Sequence, residues 1–89
     1  MAKWDLTKLE AAEDVVTKPS HYTKWHIEPI TFIMGNSMEF WRGNIIKYVS
    51  RSGSKVYDNQ TRVQSEITDL RKAMRYCEMR INSLEGREL

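Results

Sequence analysis

The stretch TRVQSEITDLRKAMRYCEMRINSL, from Thr61 to Leu84, decides the fold. Within it Val63, Ile67, Leu70, Met74, Cys77, Ile81 and Leu84 recur at alternating intervals of four and three residues. That spacing predicts one α-helix with an apolar seam about three heptads long. At 1.5 Å per residue the helix would be ~36 Å long, whereas a globule of this chain length has a radius of gyration of only ~12 Å. The seam is therefore expected to pack partly on the shorter helices that precede it, leaving the remainder for self-association. Beside the seam, at helical spacing, lies a flank of Asp69, Lys72, Ala73, Tyr76 and Arg80.

Upstream, Ser52-Gly53-Ser54-Lys55 and Tyr57-Asp58-Asn59 make a turn-rich linker in which Gly53 suits a helix C-cap. Before it, a central helix is predicted from about Met38 to Ser52, capped by Asn36 and Ser37, with Glu39 in its first turn. At ~100° per residue, Trp41, Ile45, Tyr48 and Val49 share one face, which is expected to be buried. Phe40, Gly43, Asn44, Lys47 and Arg51 gather on the other, expected to be open. Glycine inside a helix costs roughly 1 kcal/mol relative to alanine, so Gly43 marks either a crossing helix or the close approach of a ligand.

Glu28-Pro29-Ile30 reads as the start of a short helix whose buried side is Ile30, Ile33 and Met34 and which Gly35 ends. Pro19 makes the preceding segment a loop, in which His21 is either a hydrogen-bonded packing residue or a contact to a phosphate or base. Residues 1–16 contain Trp4, Leu6 and Leu9; they form a short helix after Asp5 or an arm that orders against another subunit. The resulting expectation is an all-α chain: a small bundle of two short helices and one long C-terminal helix, with an irregular N-terminal segment. Its divisions fall at 1–16, 17–85 and a tail at 86–89.

Eighty-nine residues, 40% of them hydrophobic, allow one small core, and chains of this size commonly rely on a disulfide, a metal or a partner subunit. Cys77 is the only cysteine, so an intrachain disulfide is excluded. Two histidines and one cysteine have no zinc-ligand spacing. That leaves oligomerisation. A net charge of +2 is too small to indicate nucleic acid by itself. Arg62, Arg71, Lys72 and Arg75 on the long helix are interrupted by Glu66, Asp69 and Glu78, as on an ordinary solvated face. No apolar run approaches the ~18 residues of a membrane span, and Lys3, Asp5 and Glu10 leave no signal-peptide core. The expected location is the cytoplasm.

Three segments carry a resemblance: Pro19-Ser20-His21-Tyr22, then Gly43-Asn44-Ile45-Ile46-Lys47-Tyr48 with Arg51 and Lys55, then Asp69-Leu70-Arg71-Lys72-Ala73-Met74-Arg75-Tyr76. In order and type they resemble the small phage domain of the pattern P-x-H-Y, G-N-x-x-K-Y-x-x-R, D-L-x-K-A-x-x-Y, a family catalogued as a domain of unknown function that includes the nucleotide kinase of T7-like phages. The resemblance spans about Val16 to Arg80 and implies a helical nucleotide-binding-like domain, working in the cytoplasm of an infected host cell, with phosphorylation of nucleoside monophosphates as its activity. His21, Tyr22, Gly43, Asn44, Lys47, Arg51, Lys55, Asp69 and Lys72 fall on its motifs.

Side-chain chemistry suggests roles for these residues. Lys47, Arg51 and Lys55 offer point charges and a fork donor to phosphate oxygens, Asn44 can bond a base edge or sugar, and Phe40 or Tyr22 can stack on a base. Asp69 either orients a cation such as Lys72 or Arg51, or binds a magnesium ion together with nucleotide phosphates. There is no Walker A sequence, so phosphoryl transfer would rest on cationic positioning. Two other classes compete. A cationic pocket can sequester a nucleotide, or a nucleotide signal of host defence, without turnover. Glu66-Ile67-Thr68-Asp69 also matches one half of the magnesium site of helical nucleotide pyrophosphatases, with Glu10 to Glu13 as the other half.

Overall fold

The computed structural model describes residues 24–89, and three α-helices without a strand make up its regular structure: α1 (Pro29–Gly35), α2 (Phe40–Arg51) and α3 (Arg62–Leu84). Two short helices followed by one long one is the architecture the sequence predicts. The expectations for residues 1–16, the Pro19 loop, His21 and Tyr22 lie outside the described residues.

Local signals place the helix ends. Pro29 occupies the first turn of α1, where its missing N–H is no loss. Gly53, in the left-handed region at φ 85°, follows the last turn of α2. Thr61 opens α3 with a capping box: Thr61 Oγ1 accepts from Gln64 N at 3.0 Å, and Gln64 Oε1 accepts from Thr61 N at 2.8 Å. Thr61→Ala is expected to lower stability by about 1 kcal/mol, measured by urea denaturation, with most of the lost helicity at the start of α3. The expected cap of α2 is corrected. Asn36 is instead the C-cap of α1, its side chain bonding Phe32 O, and Ser37 takes a left-handed φ of 50° in the turn. Glu39 is the N-cap position of α2 and pairs with Arg42 at 2.8 Å.

The packing inverts the hydropathy pattern. α3 lies against α2, with Asp69 meeting Arg51, and its buried residues Ser65, Asp69 and Ala73 follow one another one per turn. The flank, not the seam, is the intramolecular contact. Of the seam, Val63, Ile67, Leu70, Met74, Ile81 and Leu84 are 39–68% exposed, and Cys77 is exposed as well. Serine and alanine permit close approach of two helices, and that approach, rather than apolar area, selects the face. Tyr57 N donates to Ser65 Oγ at 2.9 Å, fixing the linker to the same line.

Gly43 is likewise a packing residue. A Cβ built there would lie 2.7 Å from Ile33 Cγ2, so Ile33 of α1 seats directly on the glycine. The crossing-helix reading of Gly43 describes this contact. Ile33 and Thr31 are buried, whereas Ile30 and Met34, expected inside, are 46% and 65% exposed. They border a groove beside the α1–α2 contact instead of filling it. In α2 the buried residues are Gly43 and Arg51, both from the face expected to be open, while Val49, from the face expected to be buried, is half exposed.

Candidate functional site

Arg51 sits at the C-terminal end of α2 with 7% exposure, and Asp69, one turn beyond Ser65 on α3, is fully buried. Arg51 Nη2 donates to Asp69 Oδ1 at 3.4 Å and to Tyr57 Oη at 2.6 Å. Tyr57 Oη donates in turn to Asp69 Oδ1 at 2.5 Å and accepts from Lys72 Nζ at 3.1 Å. One tyrosine hydroxyl thus joins two cations to one carboxylate. Burial works against the Arg51 charge, but the Asp69 carboxylate and the Tyr57 hydroxyl outweigh it and raise the guanidinium above its ordinary range. Asp69 takes the position that the cation-orienting reading requires.

Around this unit further cations collect on two rings. Lys47, Arg51 and Lys72 lie 4.7, 4.8 and 5.3 Å from the centroid of Tyr48. Lys55 and Lys72 lie 4.9 and 4.5 Å from that of Tyr57. The residues joined by these contacts carry four cations and one carboxylate. A ring quadrupole attracts each cation, but it does not neutralise the charge, so the cluster keeps a positive surplus suited to an anion. Tyr48 stacks on Tyr76 with centroids 6.0 Å apart, and Tyr76 meets Phe40 edge-on at 5.8 Å. An aromatic row therefore leads from the cations to Phe40, which is 77% exposed.

Lys47 belongs to two neighbourhoods. Besides covering Tyr48, it lines a groove of about 400 Å³ with Phe40, Gly43, Asn44 and the apolar residues Ile30, Ile33, Met34 and Met38. That volume is in the range of small-molecule sites. Asn44 does not point freely into it, because its amide donates to Phe40 O at 2.8 Å within α2.

Of the sequence-derived candidates, Arg51, Lys55, Asp69 and Lys72 come together in the cluster, Phe40, Gly43 and Asn44 line the groove, and Lys47 joins the two. Arg51 departs from its expected exposure: it is buried and donates to Asp69 and Tyr57. Among the described residues no group of three or more His, Cys, Asp or Glu could hold a metal ion. No described helix is long and apolar enough to cross a membrane. Tyr48, Tyr57 and Ser65 were not among the candidates. Tyr57 had one visible signal, the single aromatic residue of a linker in which Val56 is the other large apolar side chain.

The family model of DUF3310, described as a protein of unknown function, matches residues 16–78. No curated protein and no solved structure matches significantly.

Proposed function

We propose, for a chain that belongs to the DUF3310 family, that it is a nucleotide-binding protein. The phosphates meet Lys47, Lys55 and Lys72, and the base lies toward the Phe40 groove. The observation that carries this reading is the surplus of cations on Tyr48 and Tyr57, continuous through Lys47 with that groove. Ammonium groups held over rings are placed in advance, and each charge-assisted contact to a phosphate oxygen contributes about 1.5–3 kcal/mol. Arg51, Asp69 and Tyr57 form the support that fixes Lys72.

The reading includes the activity that the motif resemblance implies, transfer of a phosphoryl group to a nucleoside monophosphate in a phage-infected cell. Here the lysines would hold the transferring group, and a magnesium ion would accompany the phosphates. Sequestration of a nucleotide uses the same contacts without turnover.

Incubation with each nucleoside monophosphate, ATP and magnesium, followed by chromatography, separates the two. Nucleoside diphosphate formed in step with ATP loss identifies transfer, and binding by calorimetry without product identifies sequestration. Lys72→Ala is expected to weaken nucleotide binding at least tenfold. Arg71→Ala, which removes the same charge from an exposed position one residue away, should leave affinity within about twofold. Equal losses in both variants would reduce the site to general electrostatic attraction, and no binding by the unaltered chain would end the nucleotide reading.

A further inference from the structure

Among the described residues the buried hydrophobic side chains are Ile33 and Ala73. Against this, the seven consecutive seam residues of α3 are exposed over about three heptads. We infer that the seam is an interface with a second copy of this chain, and that the two α3 helices pair parallel and in register with Cys77 facing Cys77. The inference does not depend on the nucleotide reading.

Three features select that occupant. With the repeat lettered from its four-three spacing, Ile67, Met74 and Ile81 occupy the a positions and Val63, Leu70, Cys77 and Leu84 the d positions. β-Branched residues at a with leucine at d favour parallel two-stranded packing, and two of the three a residues here are isoleucine and two of the four d residues leucine. The flanking charges agree. In a parallel pair a g residue lies beside the e′ residue five positions further along its partner, which sets Glu66 against Arg71 and Arg80 against Glu85 across the seam. These two couples are of opposite sign, while the middle g position is the buried Ala73 opposite Glu78; Glu66, Arg71 and Glu85 are exposed, Arg80 is half-buried beneath Trp41, and within one chain Glu85 pairs with Arg87.

The available area is sufficient as well. If each of the seven side chains withdraws on the order of 90 Å² from water, two copies bury about 1,200 Å², the threshold of a stable interface. α2 meets α3 at Asp69, Tyr76 and Arg80, and beside that contact the a and d residues stay exposed to a second helix.

Light scattering of the whole chain at tens of micromolar is expected to give twice 10.5 kDa. Mild oxidation should yield a covalent dimer on a non-reducing gel. Cys77→Ser should abolish the covalent product and keep the mass. Met74→Glu, at a position already 66% exposed in the single chain, should halve the mass while helical circular dichroism is retained. A 10.5 kDa particle would overturn the inference, including the case in which residues 1–23 of the same chain cover the seam and protect Cys77 from thiol reagents. A dimer that yields no Cys77 crosslink would overturn the parallel register, because an antiparallel pair would place Leu70 of the second copy opposite Cys77.

Discussion

Arg51→Ala is expected to destabilise the protein by about 3–5 kcal/mol, the cost of removing one member of a buried ion pair. Asp69 is fully buried, and the substitution leaves its carboxylate with the Tyr57 hydroxyl as its remaining hydrogen-bond donor among the described residues. The pair itself need not be a large source of net stability. Its contact is a single one at 3.4 Å, and Arg51 Nε and Asp69 Oδ2 are buried without a hydrogen-bond partner among the described residues. The loss comes from stranding a charge. At about 4–8 °C per kcal/mol for a domain of this size, the variant should melt far below the parent or fail to fold.

A second substitution separates stranded charge from lost packing. Asp69→Asn in the Arg51→Ala background removes the charge and should restore part of the stability, so the two changes are strongly non-additive. Additive losses in urea denaturation would contradict a buried pair. An unchanged midpoint for Arg51→Ala alone would restore the expectation of an exposed donor.

Gly43→Leu is expected to act by separating α1 from α2. Even the first added carbon would overlap Ile33 Cγ2 at 2.7 Å, and a branched methyl close to its own backbone cannot swing aside as the tip of a lysine can. Overpacking of this kind costs about 1–3 kcal/mol or more, while replacing a mid-helix glycine returns roughly 1 kcal/mol. The net effect is a loss for leucine and a smaller one for Gly43→Ala, where the helix gain offsets more of the overlap. Thermal melting of both variants, with and without Ile33→Ala, provides the check. The Ile33→Ala change should relieve the leucine variant by opening the space it needs. If Gly43→Leu melts with the parent, α1 is not seated on the glycine.

Much of the chain was legible without coordinates, for a local reason. Pro29, Gly35, Gly53 and the period from Val63 to Leu84 act within a few residues of themselves, so three helices and their approximate ends follow from the sequence. The flank Asp69, Lys72, Ala73, Tyr76 and Arg80 was also visible as a set, because helical spacing alone brings it to one side. All four of the cluster's cations, Lys47, Arg51, Lys55 and Lys72, were legible too, as members of ordered motifs.

Only the tertiary structure decided which side of each helix is inside. Hydropathy ranks a side chain by its own transfer from water and therefore assigned part of the seam to the core and Arg51 to the surface. In the fold, Ser65 and Ala73 are small enough to admit α2, and Asp69 and Arg51 can be buried because each meets the other and the hydroxyl of Tyr57. Tyr57 comes from a linker 12 residues away from Asp69 along the chain. A charge whose partner is that distant carries no local mark of being buried, and a glycine carries no mark of the isoleucine that will fill it.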